Sequence, residues 1–206
     1  GKLLFRDVSM ILDNGAHTSW GATTPHVMMM VMTTLYRMPN VRYEAKCVYT
    51  NNTYAQAMRG YGNPQATFVV ESAMDMLAEA AGIDPAEFRR INANQPGDVS
   101  TQGLRITTCG LEECMDTVRK QLEWDQPKKE GEGVGMASLI HVGGGARVYK
   151  SDGCGTMIKM DDFAKVDVFT GATDMGQGSD TVIAQIVAEE LGLEIEDIHV
   201  IHSDTD

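Results

Sequence analysis

Alternating apolar and polar positions mark a first strand over Leu4–Leu12, which runs into Asp13-Asn14-Gly15, a turn sequence. A second alternating stretch, Val41–Thr50, puts Val41, Tyr43, Ala45, Cys47 and Tyr49 on one face and makes Cys47 a buried small residue. Between them Thr24 and Pro25 open a helix to about Tyr36, with Met28, Met29, Met30 and Met32 as core filler. Asn63-Pro64 starts a helix that Gly82 ends, and Asp84-Pro85 starts a short one through Ala93. Gln95–Asp98 is a turn, and Leu111, Met115, Val118 and Leu122 define an amphipathic helix over Leu111–Trp124. After the polar, breaker-rich run Asp125–Glu132 the pattern turns mostly to strands: Gly133–Val142, Thr156–Met160, Ala164–Thr170 and Ile198–Ser203. Within the third of these, Val166 and Val168 share one face while Lys165, Asp167 and Phe169 take the other. Val182, Ile183, Ile186, Val187 and Leu191 then recur at helical spacing, with Ser179 or Asp180 as the cap and Gly192 as the stop. The elements predict an α+β fold of mixed sheets with flanking helices, divided into residues 1–124, a linker at 125–132, and residues 133–206.

Composition narrows the class. A chain of 206 residues with 43% apolar content builds one large or two small domains. A net charge of −12 disfavours nucleic acid and anionic membrane surfaces as partners. Cys47, Cys109, Cys114 and Cys154 show neither Cys-x-x-Cys pairing nor histidines at zinc-finger intervals. They read as free thiols of a reducing, cytoplasmic compartment, so this chain builds neither a disulfide framework nor an iron–sulfur cluster. The longest apolar run, Val27–Met32, is too short to span a membrane. A chain that opens on Gly1 beside a strand and stops directly after another reads as a piece of something longer. Each half is expected to complete its core with sequence outside this span.

The candidate chemistry sits in two glycine-bearing turns. Gly171-Ala-Thr-Asp-Met-Gly-Gln-Gly-Ser179 lies between a strand and a helix N-terminus, where unpaired N–H groups and the helix dipole suit a polar or anionic ligand. Gly176 and Gly178 carry no Cβ, so a ligand can approach the backbone closely. Gln177 and Gly178 stand where a P-loop needs Lys and Ser or Thr, and no third glycine completes a dinucleotide fingerprint. Gln177 reads instead as an amide held out on a bare backbone, able to donate and accept; a ligand-free connection fits the turn equally well. The second turn, Ala57-Met-Arg-Gly-Tyr-Gly-Asn-Pro-Gln65, puts Arg59 and Tyr61 before a helix start. Arg59 there either stabilises negative charge or ties the loop to carbonyls, and the Tyr61 ring can stack on a planar substrate. Gly143-Gly144-Gly145 with Arg147 and Tyr149 is a weaker candidate, His17 and His141 have no evident partner, and His26, in the first turn of the Thr24 helix, reads as structural. His199 and His202 lie on one strand facing opposite ways, which disfavours a shared metal.

Three segments together resemble the molybdenum-cofactor subunit of the xanthine oxidase family of molybdenum hydroxylases. They are Thr50-Asn51-Asn52 leading to Ala57–Gln65, then Asp174-Met175-Gly176-Gln177-Gly178, then His202-Ser203-Asp204-Thr205-Asp206. The family includes xanthine dehydrogenases, aldehyde oxidoreductases, nicotinate dehydrogenase and 4-hydroxybenzoyl-CoA reductase. The resemblance implies parts of two molybdopterin-binding domains, with molybdenum held through the pterin, in a cytosine dinucleotide form, and by no metal ligand of this chain. It implies that Gln177 hydrogen-bonds an oxygen ligand of the molybdenum centre, with Met175, Gly176 and Gly178 shaping that loop. Arg59 with Gly60 would meet the molybdenum end of the cofactor, and Tyr61 falls where the family usually has Phe, packed on substrate. The family oxidises an electron-poor carbon and passes electrons through 2Fe-2S clusters to FAD on partner subunits or other domains; reductase-like members run them the other way.

The departures matter as well. The family's glutamate base, in a Gly-x-Gly-Glu segment, and an upstream glycine-rich loop are both absent, so the chain is expected to be inactive without the remainder of the molybdenum subunit. Counting back from Pro39, the arginine that purine-oxidising members use on substrate falls on Val27. An aromatic or heteroaromatic acid, aldehyde or CoA thioester is therefore the expected small-molecule substrate, in a higher oligomer with iron–sulfur and flavin subunits. The competing class is a binding or assembly module that keeps the fold without holding metal.

Overall fold

The computed structural model describes residues 1–141 and 153–202. The chain folds as two compact units, Gly1–Gly143 and Gly144–Asp206. The polar run 125–132 lies inside the first unit.

In the first unit β1 (Arg6–Gly15) and β2 (Val41–Tyr49) pair in parallel, from Arg6 opposite Val41 to Gly15 opposite Tyr49. A parallel pair needs a crossover, and α1 (Thr24–Thr34) supplies it. The Asp13-Asn14-Gly15 turn signal therefore does not make a hairpin. The strand runs through it with a register shift at Asp13–Gly15, where Gly15 takes φ 75°. Asp13 Oδ1 accepts both the Gly15 N–H (2.9 Å) and the Thr50 hydroxyl (2.6 Å), tying the C-terminal ends of the two strands together.

The core lies where Met28, Val31, Met32 and Leu35 of the α1 region meet Ala66, Val70, Met74 and Ala78 of α2 (Asn63–Ala81), with Phe88 of α3 (Pro85–Asn92). Met28 and Met32 are buried there as expected, while Met29 and Met30 are half-buried. Two predicted helix boundaries follow from local chemistry. Gly82 closes α2 at φ 65°, and Asp84 caps α3 by accepting from the Ala86 and Glu87 N–H groups at 3.0 Å each. Helix α4 (Leu111–Gln121) buries Met115 against Ala86, Ala93 and Met136.

Two expectations fail in this unit. Cys47 is exposed, because the inward alternation of β2 stops at Ala45. No strand forms over the described residues 133–141; that segment docks through Met136 in the core and through the Ser138 N–H on Glu71 Oε2 (3.0 Å), so its backbone is held by a side chain and not by a ladder.

Beneath this docking lies a buried polar cluster. Arg89, fully buried, donates Nε to Glu71 Oε2 (2.8 Å), Nη1 to Asp75 Oδ1 (2.7 Å) and Pro85 O (3.1 Å), and Nη2 to Glu71 O (3.2 Å). Tyr36 Oη donates to Glu71 Oε1 at 2.8 Å. Burial alone would lower the Arg89 pKa, and the bonds to Asp75 and Glu71 outweigh it, leaving it raised.

The second unit is a three-stranded sheet in the order β3-β4-β5: β3 (Thr156–Met160), β4 (Val166–Thr170) and β5 (Ile198–His202). β3 runs antiparallel to β4, and β5 runs parallel to it after α5 (Ser179–Leu191) crosses over. Val166 and Val168 are buried against Val187, with Ile183, Ile198 and Val200 around them, as the alternation predicts. Val182 and Ile186 point outward instead. Among the described residues, no helix is long and apolar enough to cross a membrane.

Candidate functional site

Each unit carries one of the two glycine turns at the start of a helix. In the second unit, β4 delivers the chain to Thr170, and the segment to Ser179 turns it into α5. Gly176 (φ 100°) and Gly178 (φ 84°) bracket Gln177, and Gly178 in the left-handed region is the N-cap of α5. Neither Ser179 nor Asp180 caps the helix. Asp174 does so from outside: its Oδ2 accepts the Asp180 N–H and the Ser179 hydroxyl, each at 3.3 Å, and its Oδ1 accepts the Gly176 N–H at 2.6 Å. Chiefly through the Gly176 N–H, these bonds hold the Asp174 carboxyl below its ordinary pKa.

Gln177 is exposed, yet its amide is not held out. Oε1 accepts the Met175 N–H (2.7 Å), and Nε2 donates to Thr173 O (2.9 Å) and to Ser179 Oγ (3.3 Å). The amide thus satisfies two of the loop's polar backbone groups, Met175 N–H and Thr173 O. Among the described residues, the Gln177 and Gly178 N–H groups have no acceptor. A Cβ built on Gly178 would meet nothing within 4 Å, so the backbone there faces open space. N–H donors without acceptors among the described residues, open approach at Gly178 and the N-terminus of a 13-residue helix make a donor set that fits an oxygen-rich, anionic cofactor.

In the first unit, Gly60 (φ 96°), Tyr61 (φ 50°) and Gly62 (φ 91°) are consecutive left-handed residues leading into α2. The turn closes through Tyr61 N–H on Met58 O (2.7 Å) and Asn63 N–H on Gly60 O (2.9 Å). Gly62 has a packing reason of its own, since a Cβ there would sit 2.7 Å from Met28 Cγ and from Thr24 Cγ2. Tyr61 donates its hydroxyl to Trp20 O (2.7 Å) and shares a bond with Thr23 Oγ1, which fixes the ring on the 20–23 segment. Arg59 and Met58 are exposed. Asn63 turns its amide to Ile140 O (2.9 Å) and His141 Nδ1 (3.0 Å), so His141 does have a partner.

His199 and His202 face different carboxylates, Asp167 (3.2 Å) and Asp180 (3.0 Å), as their positions on one strand imply. Among the described residues no cluster of His, Cys, Asp or Glu is arranged to hold a metal ion. Gly143–Gly145, Arg147, Tyr149 and the 203–206 part of the last motif lie outside the described residues. The Asp174 clamp and the Asn63–His141 contact were missed by sequence reasoning. The first had a signal, because Asp two residues before a glycine is an Asx-turn pattern.

Two glycine turns, each opening a helix after a strand-bearing segment, give each unit a helix N-terminus of the kind that can receive an anionic group. Two family models, both described as molybdopterin cofactor-binding domains, match residues 1–93 and 111–206. The chain belongs to the molybdopterin-binding subunits of the molybdenum hydroxylase family. Over its whole length it is 37% identical to the xanthine dehydrogenase molybdenum-binding subunit of Escherichia coli O157:H7 and 34% identical to a probable xanthine dehydrogenase subunit of Bacillus subtilis (strain 168). It covers 29% and 28% of those two chains, and so spans less than a third of their length. Among solved structures, the aldehyde oxidoreductase from Desulfovibrio gigas superposes with a TM-score of 0.71 at 26% identity, over 97% of this chain and 23% of that one. Quinoline 2-oxidoreductase from Pseudomonas putida 86 shares the fold, with a TM-score of 0.75 at 22% identity over 95% of this chain and 28% of that one.

Proposed function

We propose that this chain supplies part of the molybdenum-cofactor site of a molybdenum hydroxylase, an oxidoreductase that needs the remainder of its large subunit for activity. The observation that carries this reading is the Gln177 loop: two left-handed glycines leave the Gln177 and Gly178 N–H groups without acceptors among the described residues, beside open space at a helix N-terminus. When bound, the cofactor supplies two-electron chemistry at molybdenum. Gln177, with Met175, Gly176 and Gly178, binds and orients it through hydrogen bonds, the glutamine exchanging a bond within its loop for one to the ligand. Arg59 and Gly60 contribute a cationic, bare-backboned turn toward the same class of cofactor, and the Tyr61 ring packs on substrate. The cofactor is taken to be the cytosine dinucleotide form, and 2Fe-2S and FAD partner subunits carry the electrons in a cytoplasmic complex.

The substrate class is an aromatic or heteroaromatic acid, aldehyde or CoA thioester, because Val27 occupies the place of the purine-contacting arginine. A purine is the second reading, favoured by two relatives named as xanthine dehydrogenases. Parallel turnover assays with xanthine and with aromatic aldehydes on the complete enzyme separate the two. Gln177→Ala in that enzyme is expected to lower turnover, or molybdenum retained per subunit, by about 10- to 100-fold. Unchanged turnover together with unchanged metal content refutes the reading. A complete wild-type complex that contains no molybdenum points instead to a binding or assembly module.

A further inference from the structure

One carboxylate spans the whole Gln177 loop. Asp174 Oδ1 holds the Gly176 N–H on the near side of Gln177, and Oδ2 holds the Ser179 hydroxyl and the Asp180 N–H on the far side. Gln177 makes its own bonds inside that span, to Met175 N–H, Thr173 O and Ser179 Oγ. Two positive-φ glycines give the segment little intrinsic preference for one shape, so the shape must come from such ties. The ties thus run from the α5 N-terminus through Asp174 to Gly176.

We propose that Asp174 is the positioning residue of the Gln177 loop. Asp174 touches neither cofactor nor substrate in this assignment and acts only through the loop. The part that Gln177 plays toward a molybdenum cofactor rests on the function proposed above. An ordinary cap would matter to α5 alone; this one fixes the backbone on both sides of the glutamine. Asparagine at 174 keeps an acceptor for the Gly176 N–H but turns an NH₂ toward the Asp180 N–H and the Ser179 hydroxyl, so it preserves half of the brace.

The test uses the complete enzyme carrying Asp174→Ala, Asp174→Asn or Gln177→Ala, with hydrogen exchange read by mass spectrometry, molybdenum by elemental analysis and thermal unfolding as the folding control. Asp174→Ala is expected to speed exchange over residues 173–180 by about tenfold while β4 and the rest of α5 keep their protection, with Asp174→Asn in between. Molybdenum retention is expected to fall in the order Asn, then Ala. Unchanged exchange over 173–180 in Asp174→Ala overturns the proposal. So does exchange that rises equally throughout α5 and β4, since Asp174 would then support the unit as a whole. If Asp174→Ala does not accumulate, Asp174→Asn carries the same two criteria with an expected rise of about threefold. A loosened loop in Asp174→Ala with full molybdenum and unchanged turnover in Gln177→Ala supports the positioning role and refutes the cofactor reading separately.

Discussion

Arg89→Met tests whether the first unit depends on its buried charge cluster. The substitution keeps an unbranched, apolar stem of similar length and removes four hydrogen bonds, to Glu71 Oε2, Glu71 O, Asp75 Oδ1 and Pro85 O. Asp75 is exposed and is resolvated at little cost. Glu71 suffers most: its side chain is 6% exposed, and among the described residues it then keeps Tyr36 Oη and the Ser138 N–H as donors. Removing one partner of a buried ion pair costs about 3–5 kcal/mol, because the other charge stays buried without compensation. At about 2–4 °C per kcal/mol for a chain of this size, the melting temperature should fall by about 6–20 °C. Urea unfolding followed by tryptophan fluorescence suits the measurement, since both tryptophans, Trp20 and Trp124, lie in the first unit and report on it alone. The double variant Glu71→Gln/Arg89→Met should recover more than about 1 kcal/mol relative to the sum of the single variants, the signature of direct coupling. A loss below about 1 kcal/mol in Arg89→Met, or strict additivity in the double variant, refutes the assignment of this cluster as the brace between α2 and α3.

Two smaller perturbations follow from local geometry. Gly62→Ala must hold φ 91° and force a Cβ to within 2.7 Å of Met28 Cγ and Thr24 Cγ2, so unfolding assays should show a loss above about 1 kcal/mol. Asp84→Ala removes the α3 cap and the acceptor of Trp124 Nε1 (2.9 Å), and denaturation at neutral pH should show a loss of about 1 kcal/mol. The pH dependence has a definite sign. Burial raises the Asp84 pKa, but the Trp124, Glu87 and Ala86 N–H groups and Arg119 outweigh it and leave it below 3.8. The stabilisation is therefore present above that ordinary value and disappears as pH falls through the lower, folded value, so wild type and Asp84→Ala should converge in stability in strong acid.

Elements whose signals are local were legible in the sequence. Gly82 closes α2 because only a residue at ease with φ 65° can end that turn, and Asp84 opens α3 because its carboxylate reaches two N–H groups in its own segment. The strand pairing of the first unit was not legible. Asp13-Asn14-Gly15 carries hairpin chemistry, yet the partner of β1 is β2, beyond a whole helix, and the turn residues serve a bulge and a strand-end tie instead. Residues 133–141 alternate like a strand, but a strand needs a ladder. Here the Ser138 N–H is taken by Glu71, which no spacing rule places beside it. The exposure of Cys47 has the same origin: alternation reports which face a residue takes, and only tertiary packing decides how far along β2 that face stays covered.

At the candidate site, glycine spacing reported backbone conformation faithfully and side-chain direction poorly. Gly60, Gly62, Gly176 and Gly178 all take positive φ, as turns feeding helices require. The amide of Gln177 nevertheless lies along its own loop, bonded to Met175 N–H and Thr173 O. The glycine pairs also differ in kind. Gly62 is walled in by Met28 and Thr24, so its missing Cβ is already explained by packing between α1 and α2. Gly178 faces open space, and a side chain there would meet no protein atom, so packing does not account for a glycine at that position. Its φ of 84° accounts for it in part, since that conformation is strained for other residues. The same conformation leaves two N–H groups, on Gln177 and Gly178, without acceptors among the described residues. The Met58–Asn63 turn, which closes through Met58 O and Gly60 O, likewise leaves its Gly60 and Gly62 N–H groups without acceptors among the described residues. Both turns thus offer backbone donors at a helix start, and they differ in that Gly178, unlike Gly62, is open to approach.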